Sequence, residues 1–139
     1  MSVYVRLRVH SEALAMPVEH VIEVAELGQV AAVPRARPEM LGVRNLRGQI
    51  LPVVDLALLL GIRQVRRPAR LLVAEDGGRR AGFAVEQVSG VGELGEPTEE
   101  AVSSLLVGAA LADGDLIGVI DVPRVFDALQ FDALQGAPQ

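Results

Sequence analysis

The sequence predicts an all-β fold, a small barrel or sandwich. Three observations predict it. Apolar residues recur mostly with a period of two, Gly and Pro punctuate the chain at short intervals, and no long amphipathic helix appears before Val122. The 139 residues fit one compact domain or two very small, interlocked ones, and half of them are hydrophobic, enough for a core.

Val3, Val5, Leu7 and Val9 alternate with Tyr4, Arg6, Arg8 and His10, the pattern of a half-buried strand with His10 on its polar face. Ser11-Glu12 reads as a turn into a return strand, Ala13–Met16, whose pairing Pro17 ends because it has no N–H to donate. β-branched residues mark Val21–Leu27 as a further strand, and Pro34 and Pro38 make Gln29–Glu39 a loop. Two apolar runs, Leu41–Leu46 and Gln49–Val54, flank Arg47-Gly48 and form a hairpin signal. Asp55–Leu60 reads as one helical turn, capped by Asp55 and ended by Gly61.

Arg63–Arg70 is a basic, Pro-containing loop and the best candidate linker. Leu71–Glu75 reads as a buried strand, Asp76-Gly77-Gly78 as a turn, and Arg80–Val88 as the returning strand. Gly90 and Gly92 flank Val91 and predict a bend or bulge in the next strand. Glu96–Ser104 is polar and reads as loop. Val107–Ala112 and Asp115–Val122 enclose Asp113-Gly114, the strongest hairpin signal in the chain, because a type I′ turn needs φ > 0 at both positions. FDALQ then occurs twice, at Phe126–Gln130 and Phe131–Gln135. A period of five turns Phe126 and Phe131 about 140° apart on a helix, so a short helix from about Pro123, a favourable first residue, gives way to a frayed end over about 126–139.

Composition excludes several function classes. Aromatic residues make up 3% of the chain and the net charge is −5, so it lacks both the stacking platforms and the basic face of a nucleic-acid binder. The cluster Arg63, Arg66, Arg67, Arg70 is then a solvated loop. There is no Cys, which removes disulfides, thiolate metal sites and Cys nucleophiles. The opening MSVYVRLRV carries Arg6 and Arg8 within its apolar stretch and is not a signal-peptide core, and the run Val53–Leu60 is broken by Asp55 and too short to span a bilayer. No membrane insertion is expected.

No catalytic or metal constellation emerges. His10 and His20 are far apart, lack a third ligand and read as solvent-facing. Asp55 and Asp121 each follow an apolar run as a catalytic carboxylate can, but each also precedes a possible helical turn that it would cap. Ser89, Ser103 and Ser104 lack the GxSxG context of a nucleophile elbow, and no GK[ST] follows Gly77-Gly78. Neither cofactor nor metal is expected, and function falls to surfaces. Arg47 stands out between two apolar runs, and Glu23 sits among Val21, Ile22 and Val24. Each has an ordinary reading, as a turn residue and as the polar face of a strand.

Gly42–Leu56, GVRNLRGQILPVVDL, resembles the signature segment of the CheW-like family, with Asn45, Leu46, Arg47, Gly48, Pro52 and Asp55 on its motif positions. Upstream, Val21–Val24 (VIEV) resembles the family's V-x-E-V, followed by Pro34, Pro38 and Gly42 at the usual spacing. Ala81–Val91 and Leu116–Phe126 resemble its later segments, so the likeness runs in order from about Val3 to Phe126. Arg44, at a position often small or apolar, and Glu86, in place of the usual Asp, depart from the pattern.

The resemblance implies a single domain over residues 1–139, made of two small five-stranded SH3-like barrels packed together about a shared core, with a short C-terminal helix. It implies a non-catalytic cytoplasmic adaptor in chemosensory signalling. Such a protein binds the regulatory domain of the histidine kinase CheA barrel to barrel. It binds the cytoplasmic tip of a methyl-accepting chemoreceptor in the groove between its own barrels, and so associates with membrane receptor arrays through its partners. By the same resemblance Val21, Glu23, Arg47 and Val91 are the candidate receptor contacts. A stand-alone CheW-like regulatory module in a non-flagellar two-component pathway is the alternative, and an enzyme using Asp55 or Asp121 a remote third.

Overall fold

Alternation does produce the first strand. In the structure, a computed structural model describing residues 2–63, 67–98 and 103–129, β1 (Ser2–Val9) pairs antiparallel with β2 (Glu12–Pro17). The turn between them is His10-Ser11, one residue earlier than the sequence indicates, with His10 in the left-handed region at φ 52°. A single 3₁₀ turn, Val18–His20, leads into β3 (Val21–Glu26). β4 (Met40–Leu46) and β5 (Gln49–Asp55) form the expected hairpin, followed by the one-turn helix α1 (Leu56–Leu59). β6 (Arg70–Asp76) and β7 (Arg79–Val85) follow, then β8 (Gln87–Leu94), the hairpin β9 (Leu106–Ala112) and β10 (Asp115–Ile120), and α2 (Val122–Leu129).

Two five-stranded sheets result, in the orders β8-β1-β2-β10-β9 and β3-β6-β7-β5-β4. The second lies wholly within the chain. The first joins the N-terminal hairpin to the last three strands. The expected single strand Arg80–Val88 is in fact two. β7 ends at Val85 and β8 begins at Gln87, and between them Glu86 passes from one sheet to the other, its N–H donating to the Arg8 carbonyl at 3.1 Å.

The sheets share one plan under cyclic reordering. Each contains a single parallel pair, β5 with β7 and β10 with β2. Each has a register shift where its outer strand meets the neighbour, at Ile22 and at Ser89. In each, the loop after that strand bridges back to the opposite edge, Ala31 to Val43 and Thr98 to Ala109. In each, the middle hairpin turns on a left-handed residue and Gly: Arg47-Gly48 at φ 50° and 87°, Asp113-Gly114 at φ 52° and 80°. In each, a helix follows, capped by an aspartate. Asp55 accepts from Leu58 N–H and Asp121 from Arg124 N–H, both at 3.1 Å, so capping is the role of both carboxylates. Pro123 is therefore the second residue of α2, not the first.

Three apolar cores follow. Tyr4, Ala15, Leu94, Ile117 and Val119 fill the first barrel, and Leu51, Val53, Leu71, Val73 and Ala84 fill the second. Between the barrels lies the largest core, with Val5, Leu7, Leu14 and Met16 from one sheet, Leu72, Ala74, Phe83 and Val85 from the other, and Ile120, Val125, Phe126 and Leu129 from the end of β10 and α2. Strands next to the shared core are therefore buried on both faces. This is why Tyr4, on the expected polar face of β1, is buried while Val3 near the strand end is not.

α2 is fastened to the second barrel. Phe126 meets Phe83 edge to face at 5.9 Å, Arg79 lies 5.4 Å over the Phe126 ring, and Arg37 donates to the Ala128 carbonyl at 3.0 Å. Hydrogen bonds to Asp127 and then to Asp76 push the Arg79 pKa still higher. The helix runs through Leu129, so residues 126–129 of the expected frayed end are helical, and its remainder, 130–139, lies outside the described residues. His20 is not solvent-facing: it is partly buried, with Nδ1 3.0 Å from the Glu75 carbonyl oxygen. Arg63 and Arg67 are exposed and Arg70 opens β6, while Arg66 and residues 99–102 of the polar loop lie outside the described residues.

Gly42 is the tightest constraint in this frame. Its φ is 148°, and a Cβ there would stand 2.1 Å from the Ala31 carbonyl oxygen. Gly42→Ala is expected to destabilise the protein by more than about 1 kcal/mol, measured as a lower urea midpoint at unchanged slope.

Candidate functional site

β3 and β4 are the two edges of the second sheet, so no strand ladder joins them directly. Side chains and one loop cross that seam. Arg44 on β4 donates from Nε to the Leu27 carbonyl at 2.8 Å, just past the end of β3. At the hairpin tip, Asn45 Oδ1 accepts from Gly48 N–H at 2.9 Å and fixes the left-handed turn. The turn places the Arg47 guanidinium against Glu23 of β3, and Arg47 Nη2 donates to Glu23 Oε1.

Other motif residues serve the frame. Pro52 stands opposite Val43, whose N–H and C=O both bond to Ala31, at 2.9 and 2.8 Å. Pairing of β5 with β7 begins only at Val53, so proline's missing N–H leaves no partner wanting there. Leu46 packs on the second barrel's core, and Asp55 is buried as the cap of α1.

The ion pair borders a cleft of about 340 Å³. Leu46, Leu51 and Val73 supply its apolar wall, and Ile22, Glu23, Arg47 and Arg80 its rim. Arg80 is held by Glu75 at 3.1 Å and by Gln49 at 2.9 Å. The structure thus brings Glu23 and Arg47 together. Val21 lies on the same strand but packs partly buried on the shared core. Val91 lies on β8 of the other sheet, 66% exposed, and does not line the cleft. Ile22 and Arg80 were not singled out from sequence. Ile22 is the register-shifted residue of β3, and no local pattern marks such a shift.

The first barrel also carries an ion pair at its hairpin turn. Asp113, in the turn equivalent to Arg47-Gly48, meets Arg6 at 3.5 Å, but Arg6 lies on β1, which answers to β6, so it is not the counterpart of Glu23. Chemically the site offers a fork donor, a carboxylate and apolar surface. Among the described residues no three His, Asp or Glu side chains gather to hold a metal, and no helix is long and apolar enough to cross a membrane.

Comparison with known proteins agrees with this arrangement. The sequence profile of the CheW-like domain matches residues 3–130. The chain is 30% identical over 128 residues to "Chemotaxis protein CheW" of Thermotoga maritima, covering 87% of this chain and 85% of that protein. It is 33% identical over 115 residues to "Protein FrzA" of Myxococcus xanthus, covering 81% and 70%. The crystal structure of the scaffolding protein TtCheW from Thermoanaerobacter tengcongensis superposes with a TM-score of 0.81 at 24% identity, covering 91% of this chain and 92% of that one, and has the same fold.

Magnitude bounds what the Arg47 ion pair adds to stability. Its side chain is 68% exposed, and ion pairs of that kind stabilise by about 0.2–1 kcal/mol. A double-mutant cycle on Arg47→Ala and Glu23→Ala is expected to give a coupling energy below about 1 kcal/mol, with both single variants folded by circular dichroism.

Proposed function

The chain belongs to the CheW-like family, non-catalytic scaffolding adaptors of chemotaxis, and on that premise we propose that it couples chemoreceptors to the histidine kinase CheA in the cytoplasm, at receptor arrays. The observation that carries this reading is the pairing of Arg47 with Glu23 across the edges of the second sheet, on the rim of an exposed, mainly polar cleft beside Ile22.

Receptor tips are helical, and a helix laid across the second barrel finds apolar contact at Ile22, 43% exposed, with the charged pair fixing its direction. Val21 sets the position of β3 from behind, and Val91 extends the contact onto the first barrel. A kinase needs a separate surface if both partners are to be held at once. The first barrel supplies one in Leu111 and Leu116, cross-strand partners on β9 and β10 that are 73% and 68% exposed. We assign the barrel-to-barrel contact with the CheA regulatory domain to this hairpin. The output of such an adaptor is positional. Receptor and kinase share one frame, and a change in the receptor helices biases the kinase through differential contact.

Calorimetry of the chain with the CheA regulatory domain is expected to give a saturable one-to-one complex of micromolar affinity or tighter. Arg47→Ala is expected to lower receptor binding at least tenfold in co-sedimentation with receptor-bearing membranes while leaving kinase binding unchanged. A folded Arg47→Ala protein that keeps full receptor binding removes the cleft from the receptor site, and no binding to the kinase domain at tens of micromolar removes the adaptor reading.

A further inference from the structure

Arg47 and Glu23 meet where neither strand is held by its sheet alone. The ladder between β5 and β7 runs only from Val53 to Asp55, opposite Gly82 to Ala84. The end of the β4–β5 hairpin, from Leu46 to Leu51, therefore extends past that ladder, with Arg47 at its tip. On the other side, β3 loses register with β6 at Ile22, one residue before Glu23. A partner that reads this pair needs both side chains in place before it arrives, because ordering them on binding costs affinity.

Arg80, on β7, is bonded toward both. Its Nη1 donates to Gln49 Oε1 at 2.9 Å and its Nη2 to Glu75 Oε2 at 3.1 Å. Gln49 is the first residue of β5, two places past Arg47, so this bond ties the hairpin tip to β7. Glu75 is the partner of Arg80 across the β6–β7 ladder. Its backbone carbonyl oxygen lies 3.0 Å from Nδ1 of His20, in the 3₁₀ turn that enters β3. Glu75 and Arg80 thus form one anchor that holds both the hairpin bearing Arg47 and the strand bearing Glu23. The Arg80 side chain is 33% exposed against 68% for Arg47, and both its terminal nitrogens are engaged.

We propose, on the reading of this cleft as the receptor site, that Arg80 is its positioning residue. Acting through Gln49 and Glu75, it fixes the separation between Arg47 and Glu23 that the receptor helix reads. A planar fork suits this task, since it bonds two partners in fixed directions, whereas lysine offers a freely turning point charge. The hairpin of Leu111 and Leu116, assigned to the kinase, belongs to the other sheet, so the anchor serves one partner and not both.

Co-sedimentation of the full chain with receptor-bearing membranes tests this. Arg80→Ala is expected to weaken receptor binding about threefold to tenfold, the cost of ordering one side chain on binding. Gln49→Ala, at an exposed position, leaves the Arg80–Glu75 pair in place and is expected to reproduce that loss. The two together are expected to exceed either alone by less than about twofold. In an Arg47→Ala background, Arg80→Ala is expected to cause no further loss, since the separation it sets has lost one member. Binding to the CheA regulatory domain, measured by calorimetry, is expected to match that of the unaltered protein. Full receptor binding by folded Arg80→Ala and Gln49→Ala variants overturns the positioning role while a weakened Arg47→Ala leaves the receptor site standing. An Arg47→Ala protein that also binds fully removes the receptor site and the positioning role together. A loss that persists in the Arg47→Ala background, or that extends to the kinase domain, makes Arg80 a direct contact or a general support of the fold and overturns the proposal.

Discussion

Everything in this molecule depends on burial of strands on both faces. Leu71 and Val73 of β6 point into the second barrel, while Leu72 and Ala74 point into the core between barrels. A strand in that position has no solvent face, and its residues must all be apolar, as Leu71–Ala74 are. The shared core then holds the barrels together without a linker of its own. It takes Val5, Leu7 and Met16 from one sheet and Leu72, Phe83 and Val85 from the other, and it closes with Phe126 and Leu129. At roughly 1.5–3 kcal/mol for each fully buried large side chain, this contact outweighs any of the exposed ion pairs by an order of magnitude.

That division of labour sets the exposed charges apart from the core. The interior fixes the frame, and the charged groups outside it add little to that frame. Arg47 and Glu23 cross a seam between sheet edges that Arg44 and the Ala31–Val43 bridge already close. The pair is thus placed by the fold without being required by it. In the other barrel the equivalent turn carries an acid, Asp113, in place of Arg47, and its ion pair is with Arg6 of β1 and not with the edge strand β8. Two surfaces built on one plan but differing in charge and apolar content can be addressed by different partners, which is the minimum requirement of an adaptor.

Most of the fold was legible from local signals. Asp113-Gly114 announced its hairpin, because few dipeptides tolerate two left-handed residues, and Asp55 and Asp121 announced helix starts through their ability to accept backbone N–H groups. The sheet exchange at Glu86 was not legible, since nothing in AGFAVEQV distinguishes a strand that continues from one that changes neighbours. The half-buried reading of β1 placed Tyr4 outside because alternation records which residues are polar and not how many cores a strand faces. The site was legible only through resemblance. Glu23 and Arg47 are separated by a loop and a strand, and their meeting depends on which edges the sheet leaves free. The correspondence between the barrels is invisible in the residues, where Pro52 answers to Gly118 and Arg47 to Asp113, and appears only in register.

Because the first barrel is assembled from both ends of the chain, synthesis and folding run out of step. β1 and β2 leave the ribosome first, yet their neighbours β8 and β10 are made last. The second barrel, contiguous from β3 to β7, can close while the N-terminal hairpin still shows two unpaired edges and the apolar faces of Val5, Leu7 and Met16. Pairings of such long sequence separation are slow to form, and an open hairpin that waits for them is exposed to strangers. The same cyclic arrangement that binds the two halves together leaves the nascent N-terminal hairpin vulnerable until β8 and β10 are in place.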